Sequence, residues 1–197
     1  MPTIIGLLGP AGSGKSSVAG HLAERYGAKR YSFAAPLKEL AMRTLDLTHE
    51  QCWGTQSQKE AVDPRYGFSP RWFLQRLGTE GCRKTFGEAF WTEQTLAKIA
   101  REAPSLAVIE DVRFKNEASA ILNFRNSSGR GHVWRLEASE RQTIELHSTH
   151  ASEQEWAIAP FSTRLCPAAF GLEHLFALVD EAMSNLDLGK PVAWVYP

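Results

Sequence analysis

The sequence has no excess of either charge: 22 lysines and arginines balance 22 aspartates and glutamates, and the formal net charge is zero. A protein that grips duplex nucleic acid gains affinity by neutralising phosphates and shows a basic surplus, so nucleic acid is not the expected partner. Cysteine is scarce. Cys52, Cys82 and Cys166 are odd in number and form no CxxC pair, which is the usage of a reduced cytosolic chain rather than a disulfide-stapled one. No apolar run approaches the ~20 residues that span a bilayer, and the first residues lack the basic flank and cleavage site of a signal peptide. A soluble cytoplasmic protein with no membrane partner is therefore expected. GxSxG, HExxH, internal repeats and low-complexity tracts are also missing, and with them the local signatures of α/β-hydrolases, zincins and repeat arrays.

What is present fits one globular domain over residues 1–197. With 43% hydrophobic residues the chain can build a real core without staples. Thr3 to Leu8 is a continuous apolar run, as in a strand buried on both faces. Gly9 to Gly14 makes a glycine-rich turn, and Val18, Leu22, Ala23 and Tyr26 then recur at helical spacing up to a capping Gly27. A short strand is expected around Arg30 to Phe33. Pro36 opens a helix with Leu37, Leu40, Ala41 and Leu45 on one face.

Residues 48–68 read as a polar, irregular loop or mobile excursion. Ser69-Pro70 starts a helix that Gly78 breaks, with Thr79 capping the next turn, and a further helix runs from about Thr92 to Ala103 with Leu96, Ile99 and Ala100 inward. Leu106 to Val112 is a second buried strand carrying Glu110 and Asp111 at its end. Asn116 caps a helix to about Phe124, His132 to Leu136 is a strand, and residues 137–155 read as a polar cover. A last amphipathic helix carries Leu172, Leu175, Phe176, Val179, Met183 and Leu186. Strands alternating with helices imply a parallel α/β sheet wrapped by helices, whose ligands sit beyond the carboxyl ends of the strands.

The chemistry is concentrated at that edge. Gly9-Pro-Ala-Gly-Ser-Gly14-Lys15-Ser16 fits GxxxxGK[ST], between a strand and a helix as that motif requires. Its residues Gly9, Ala11, Gly12, Ser13, Gly14, Lys15, Ser16 and Ser17 are the candidate ATP-binding set, in which turned backbone N–H groups and a helix N-terminus cradle phosphates. Lys15 reaches the β- and γ-oxygens, and the Ser16 hydroxyl ligates magnesium. Asp111 is the candidate for the rest of the magnesium shell. Glu110 is the alternative, because adjacent strand residues point opposite ways. Arg113 falls on the side of Asp111 if the strand continues, where it can clamp a phosphate bidentately. His147, His150 and Glu153 have helical metal-site spacing, but a polar cover is the better reading in the absence of a closed ligand shell. Cys82 beside an arginine reads as inert packing.

Further segments carry a family resemblance. Phe33-Ala-Ala-Pro-Leu-Lys38-Glu39, Leu74-Gln-Arg-Leu-Gly-Thr79-Glu80-Gly-Cys-Arg83, Phe90-Trp91, Glu110-Asp-Val-Arg113-Phe-Lys-Asn116-Glu117 and His150-Ala-Ser-Glu153, with the phosphate loop, resemble the bacteriophage-type deoxynucleoside monophosphate kinases over roughly residues 3–155. The resemblance implies a P-loop kinase fold with a helical acceptor-binding region at about 36–103 and a lid-like segment at about 137–155. It also implies ATP- and magnesium-dependent phosphorylation of a deoxynucleoside 5′-monophosphate. Carried over by position, Arg83 and Arg113 bind the acceptor phosphate, while Lys38, Arg71, Gln75, Thr79 and Trp91 shape the acceptor pocket. Lys15, Asp111, Arg113 and Arg141 become the catalytic set. The chain departs from the pattern after Arg135, where Leu-Glu-Ala-Ser replaces further basic residues and leaves Arg141 to supply that charge, and at Arg164-Leu-Cys-Pro, where an Asn/Asp-Gly turn is common. The accepted bases, ribose selectivity and oligomeric state, homodimer included, stay open.

Such a reaction needs little covalent help. A nucleoside monophosphate is largely a dianion at neutral pH and already a nucleophile, so the enzyme supplies charge neutralisation, alignment and exclusion of water. The competing readings are a P-loop kinase for another small metabolite, which the LGTE-x-x-R and FW segments oppose, and a nucleotide switch. A GTPase would need an NKxD-type segment that Lys115-Asn116-Glu117 does not supply. Lys15→Ala should leave the chain folded and lower kcat by on the order of 10²-fold or more, the scale of a lost transition-state donor. Near wild-type turnover in steady-state assays would refute the loop assignment.

Overall fold

Five strands pair in parallel in the order β2-β3-β1-β4-β5. They are β1 (Thr3–Leu8), β2 (Lys29–Tyr31), β3 (Leu106–Val112), β4 (Arg130–Leu136) and β5 (Thr163–Leu165). The structure, a computed structural model, describes residues 2–10, 12–124, 130–137, 155–166 and 171–187. The chain divides into two compact units, one made of Met1–Ser32 with Ala97–Pro197 and the other of Phe33–Leu96. Among the described residues no helix is long and apolar enough to cross a membrane.

The first unit holds the sheet. β1 lies at its centre with five of its six residues buried, which is why it reads as an unbroken apolar run. Ile5 and Leu7 face α1 (Lys15–Tyr26) and the C-terminal helix (Gly171–Asp187), packing with Val18, Leu22, Trp134, Leu165, Leu175 and Val179. Each fully buried aliphatic side chain contributes about 1.5–3 kcal/mol. The other face is covered by the helix Lys115–Asn123, where Ile121 closes on Gly6, Val112 and Val133. Gly27 ends α1 in the left-handed conformation, its N–H bonded to Ala23 O.

The second unit is helical. It contains α2 (Ala35–Leu45), α3 (His49–Trp53), α4 (Gln56–Glu60), α5 (Pro70–Gln75) and α6 (Lys84–Phe86), with π-type turns at Arg76–Arg83 between the last two. α7 (Phe90–Glu102) begins there and ends in the first unit. The helix Lys115–Asn123 is then α8 and Gly171–Asp187 is α9. Leu37, Cys82 and Trp91 form one small core of this unit, and Ala41, Leu47 and Cys52 form another.

Several expectations need correction. Residues 48–68 are not an irregular excursion. Thr48 with Gln51 and Thr55 with Gln58 form two complete capping boxes that start α3 and α4. Buried Asp63 then ties the following turn to Gln51 and Arg65, and those hydrogen bonds hold its carboxyl well below the usual range. Five-residue helices are too short to show an apolar period, so capping rather than periodicity betrays them. Gly78 does not break its helix, and Thr79 caps nothing. The chain runs on in widened turns, and the Gly78 carbonyl accepts a bond from the Trp91 indole.

Asn116 is not the cap of α8, which starts at Lys115 after Phe114. Leu40 and Leu172 are exposed, and Ala100 faces solvent while Thr92 and Thr95 face inward. β5 and the 3₁₀ turn Glu155–Ile158 were not expected, being too short for a pattern.

α9 is fastened to α1 by Asp180. Its Oδ1 pairs with His21 Nε2 at 2.7 Å and accepts from the Tyr26 hydroxyl at 2.8 Å, and Arg25 Nε lies 3.3 Å from Oδ2. His21 also stacks on Phe176 at 4.3 Å. Partial burial pushes the Asp180 carboxyl up, but the bonds from His21 and Tyr26 outweigh it and hold the group below its ordinary value. A depressed carboxylate stabilises the fold above its unfolded-state pKa and loses that contribution as pH falls through the folded one. Asp180→Ala should therefore cost on the order of 1–2 kcal/mol at pH 7, a Tm drop of about 2–8 °C for a chain of this size. The gap between mutant and wild-type melts should narrow below about pH 4; a gap that holds constant into acid would show that Asp180 is not held by these contacts.

Candidate active site

The carboxyl edge of the sheet gathers the chemistry because β1, β3 and β4 run the same way in fixed register, Leu8 opposite Val112 on one side and Arg135 on the other. Directly after Leu8 the chain turns at Gly9, where a Cβ would stand 2.4 Å from the Leu136 carbonyl oxygen, so only glycine fits. Gly14 has φ of 89° and opens α1 without a side-chain cap or an acidic residue in the first turn. The first N–H groups of α1 thus keep their positive end for a ligand.

Lys15 folds back into its own loop. Its ammonium donates to Gly9 O at 2.8 Å and to Pro10 O at 2.5 Å, and lies 3.4 Å from Ser13 Oγ. Ser13 is 5% exposed and its N–H bonds to Pro10 O, so it builds the loop wall. Gly12 and Ser16 are exposed and Ser17 is half-buried. Ala11 lies outside the described residues.

β3 divides its two acids. A register shift between Gly6 and Leu8 inserts an extra residue into β3 where Glu110 and Asp111 sit, and such a bulge interrupts strict alternation. Glu110 pairs with Arg30 at 2.5 Å. Asp111, half-buried, accepts from the Ser32 hydroxyl at 2.7 Å. The strand ends at Val112, so Arg113 does not continue the alternation from Asp111 as expected. It is exposed in the turn before α8, and its N–H bonds to Glu117 Oε2 at 2.8 Å. Ser16 and Asp111 offer one hydroxyl and one carboxylate oxygen. That donor set suits magnesium, a hard cation that prefers oxygen ligands. Among the described residues no group of three or more His, Cys, Asp and Glu forms a protein cage of its own.

A basic pair at the ends of β4 and β5 escaped the sequence. Arg135 and Arg164 are register partners, and their Nε atoms lie 3.6 and 3.0 Å from Glu137 Oε1. The Arg135 guanidinium sits 5.2 Å from the rings of both Trp156 and Phe161. Arg164 thus brings a second guanidinium beside Arg135, and both face Glu137. Cys166 bonds to Glu137, and burial together with that carboxylate pushes its thiol up to about 11, so it stays protonated.

The acceptor candidates of the helical unit are placed unevenly. Lys38 is half-buried with its ammonium 5.0 Å from the Trp53 ring, and Arg71 pairs with Glu60 at 3.1 Å. Gln75 is exposed, Thr79 and Arg83 are half-buried, and Trp91 is 7% exposed within the packing. Burial pushes the Cys82 thiol up, in keeping with an inert packing role. Arg141, His147, His150 and Glu153 lie outside the described residues, as does most of the lid-like segment.

A five-stranded parallel sheet with a phosphate loop after its central strand and an acid at the end of the neighbouring strand β3 defines a P-loop nucleotide-binding fold. Over 167 residues the chain is 35% identical to a protein of Acanthamoeba polyphaga mimivirus named for deoxynucleotide monophosphate kinase, covering 77% of this chain and 81% of that one. It shares 29% identity over 180 residues with the deoxynucleoside-5′-monophosphate kinase of Escherichia phage T5, covering 61% of this chain and 72% of that one. The chain belongs to the deoxynucleoside monophosphate kinase family, a family of phosphotransferases. Dephospho-CoA kinase from Campylobacter jejuni matches with a TM-score of 0.50 at 13% identity, covering 96% of this chain and 99% of that one, a likeness of fold alone. No protein-family profile matches the chain.

Asp111→Asn should raise the magnesium concentration at half-maximal rate and lower kcat, because a neutral amide holds a hydrated cation less well. A magnesium titration at saturating ATP tests this; an unchanged midpoint assigns the metal to Glu110 or another acid.

Proposed function

We propose that the protein transfers the γ-phosphoryl group of ATP to a deoxynucleoside 5′-monophosphate, giving the diphosphate and ADP. The observation that carries this reading is the uncapped, acid-free N-terminus of α1 behind a phosphate loop, in a chain of this family. The loop amides and the start of α1 hold the β- and γ-phosphates. Lys15 leaves the Gly9 and Pro10 carbonyls for the phosphate oxygens and stabilises charge on the group in flight. Ser16 and Asp111 would hold magnesium, which would neutralise charge on the triphosphate; Ser32 keeps the Asp111 carboxylate oriented.

The acceptor needs no strong base. Its phosphate oxygen, already anionic, attacks the γ-phosphorus in line as the bond to the β-phosphate oxygen breaks and ADP leaves. Arg83 and Arg113 bind the acceptor phosphate as planar forks, and Arg141 adds positive charge from the 137–155 segment. Lys38, Arg71, Gln75, Thr79 and Trp91 shape the acceptor pocket.

A coupled assay with ATP, magnesium and a panel of deoxy- and ribonucleoside monophosphates tests the assignment. ADP formation should require one of these acceptors. Steady hydrolysis without an acceptor would point to a switch, and turnover only with other phosphorylated metabolites would point to a different kinase. Because lysine cannot reproduce the guanidinium fork, Arg83→Lys and Arg113→Lys should raise the acceptor KM or lower kcat and leave ATP binding nearly unchanged. Loss of ATP binding with normal acceptor kinetics would move both arginines to the donor side.

A further inference from the structure

We infer that Glu117 is a positioning residue of the reaction, acting by holding the main chain that presents Arg113; this rests on the assignment of Arg113 to the acceptor phosphate. Glu117 lies in the first turn of α8 and is 2% exposed. Its Oε2 accepts two backbone bonds, from Arg113 N–H at 2.8 Å and from Phe114 N–H at 3.0 Å. Those are the first two amides after β3 ends at Val112. One carboxylate oxygen therefore fixes the peptide units where strand becomes helix.

The bond from Phe114 N–H is the N3 half of a capping box, with Phe114 at the cap position. Capping does not account for the second bond, from Arg113 N–H, nor for a carboxylate taken almost wholly out of water. Burying such a group is costly unless its bonds are made. What the burial adds is rigidity at Arg113. An exposed arginine has many rotamers, and a phosphate ligand is effective only if its fork arrives at one place, since a misplacement near 1 Å can cost on the order of 10²-fold in rate. Pinning the N–H and the following peptide removes the main chain from what must be ordered on binding. The carboxylate also fills the positive end of α8. Of the two helices that begin just after β1 and β3, α1 therefore keeps its N-terminus for phosphate while α8 has its own satisfied from within.

The test is a mutant cycle on acceptor kinetics with Arg113→Lys, Glu117→Gln and the double variant. Glutamine keeps the shape of Glu117 but offers a neutral oxygen and sets a donor beside the two N–H groups. Glu117→Gln should raise the deoxynucleoside monophosphate KM by about tenfold, the scale of a weakened charge-assisted bond, with the ATP KM little changed. Added to Arg113→Lys, it should cost nothing further. Equal losses of Glu117→Gln with and without Arg113→Lys, or no change in acceptor KM, would reduce Glu117 to a helix cap and overturn the inference. A silent Arg113→Lys would instead overturn the assignment of Arg113 itself. Should Glu117→Gln give little folded protein, Glu117→Asp, one methylene shorter and still anionic, serves in the same cycle with the same outcomes deciding.

Discussion

Everything at the catalytic edge depends on the pairing of β1 with β3 on one side and β4 on the other. Parallel ladders force the carboxyl ends of neighbouring strands to the same side of the sheet, so three chain segments far apart in sequence end beside one another. Leu8 opposite Arg135 brings the end of β4 against the phosphate loop, close enough that the Leu136 carbonyl excludes any side chain at Gly9. On the other side, one extra residue in β3 parts Glu110 and Asp111 and gives each its own partner, Arg30 and Ser32. A slip of the β1–β3 ladder would separate the loop from its acid, and the burial of Ile4, Ile5, Leu7 and Leu8 opposes such a slip.

The distribution of negative charge around the helix starts sharpens that arrangement. Net charge is zero over the chain, yet acids are not spread evenly at the catalytic edge. α1 begins with none, α8 begins with a buried one, and β3 ends with two that are already engaged. The Arg135 and Arg164 guanidiniums likewise face an internal partner, Glu137, with aromatic rings covering Arg135. In the phosphate loop the Lys15 ammonium donates to the Gly9 and Pro10 carbonyls.

Much of this was legible in the residues. β1 and β3 matched their apolar runs because a strand buried on both faces has no alternation to misread, and α1 ended at its glycine because only that residue takes the left-handed cap without strain. The phosphate loop was legible because every part of it is local. What depends on partners distant in sequence was not. Ser32 meets Asp111 across 79 positions and Arg164 meets Glu137 across the ends of two strands, one of them three residues long. Glu117 stood in plain view three residues after the cap position, but the capping signal was hidden because that position is Phe114. The excursion at 48–68 was misread for the opposite reason: its two T-x-x-Q boxes are local, but short helices carry no apolar stripe to draw notice.

The resting place of Lys15 sets a condition on what the loop will accept. Its ammonium is solvated by the main-chain dipoles of Gly9 and Pro10, so any arriving molecule competes with a shell that is built into the loop. A nucleoside offers the lysine nothing better, and a single phosphate offers one oxygen cluster at the loop mouth. A triphosphate bound as proposed would present a run of anionic oxygens to the lysine while its other end is held by the amides. In the proposed donor role the loop would therefore sort phosphates by how far they extend, according to whether one side chain lets go of its own backbone.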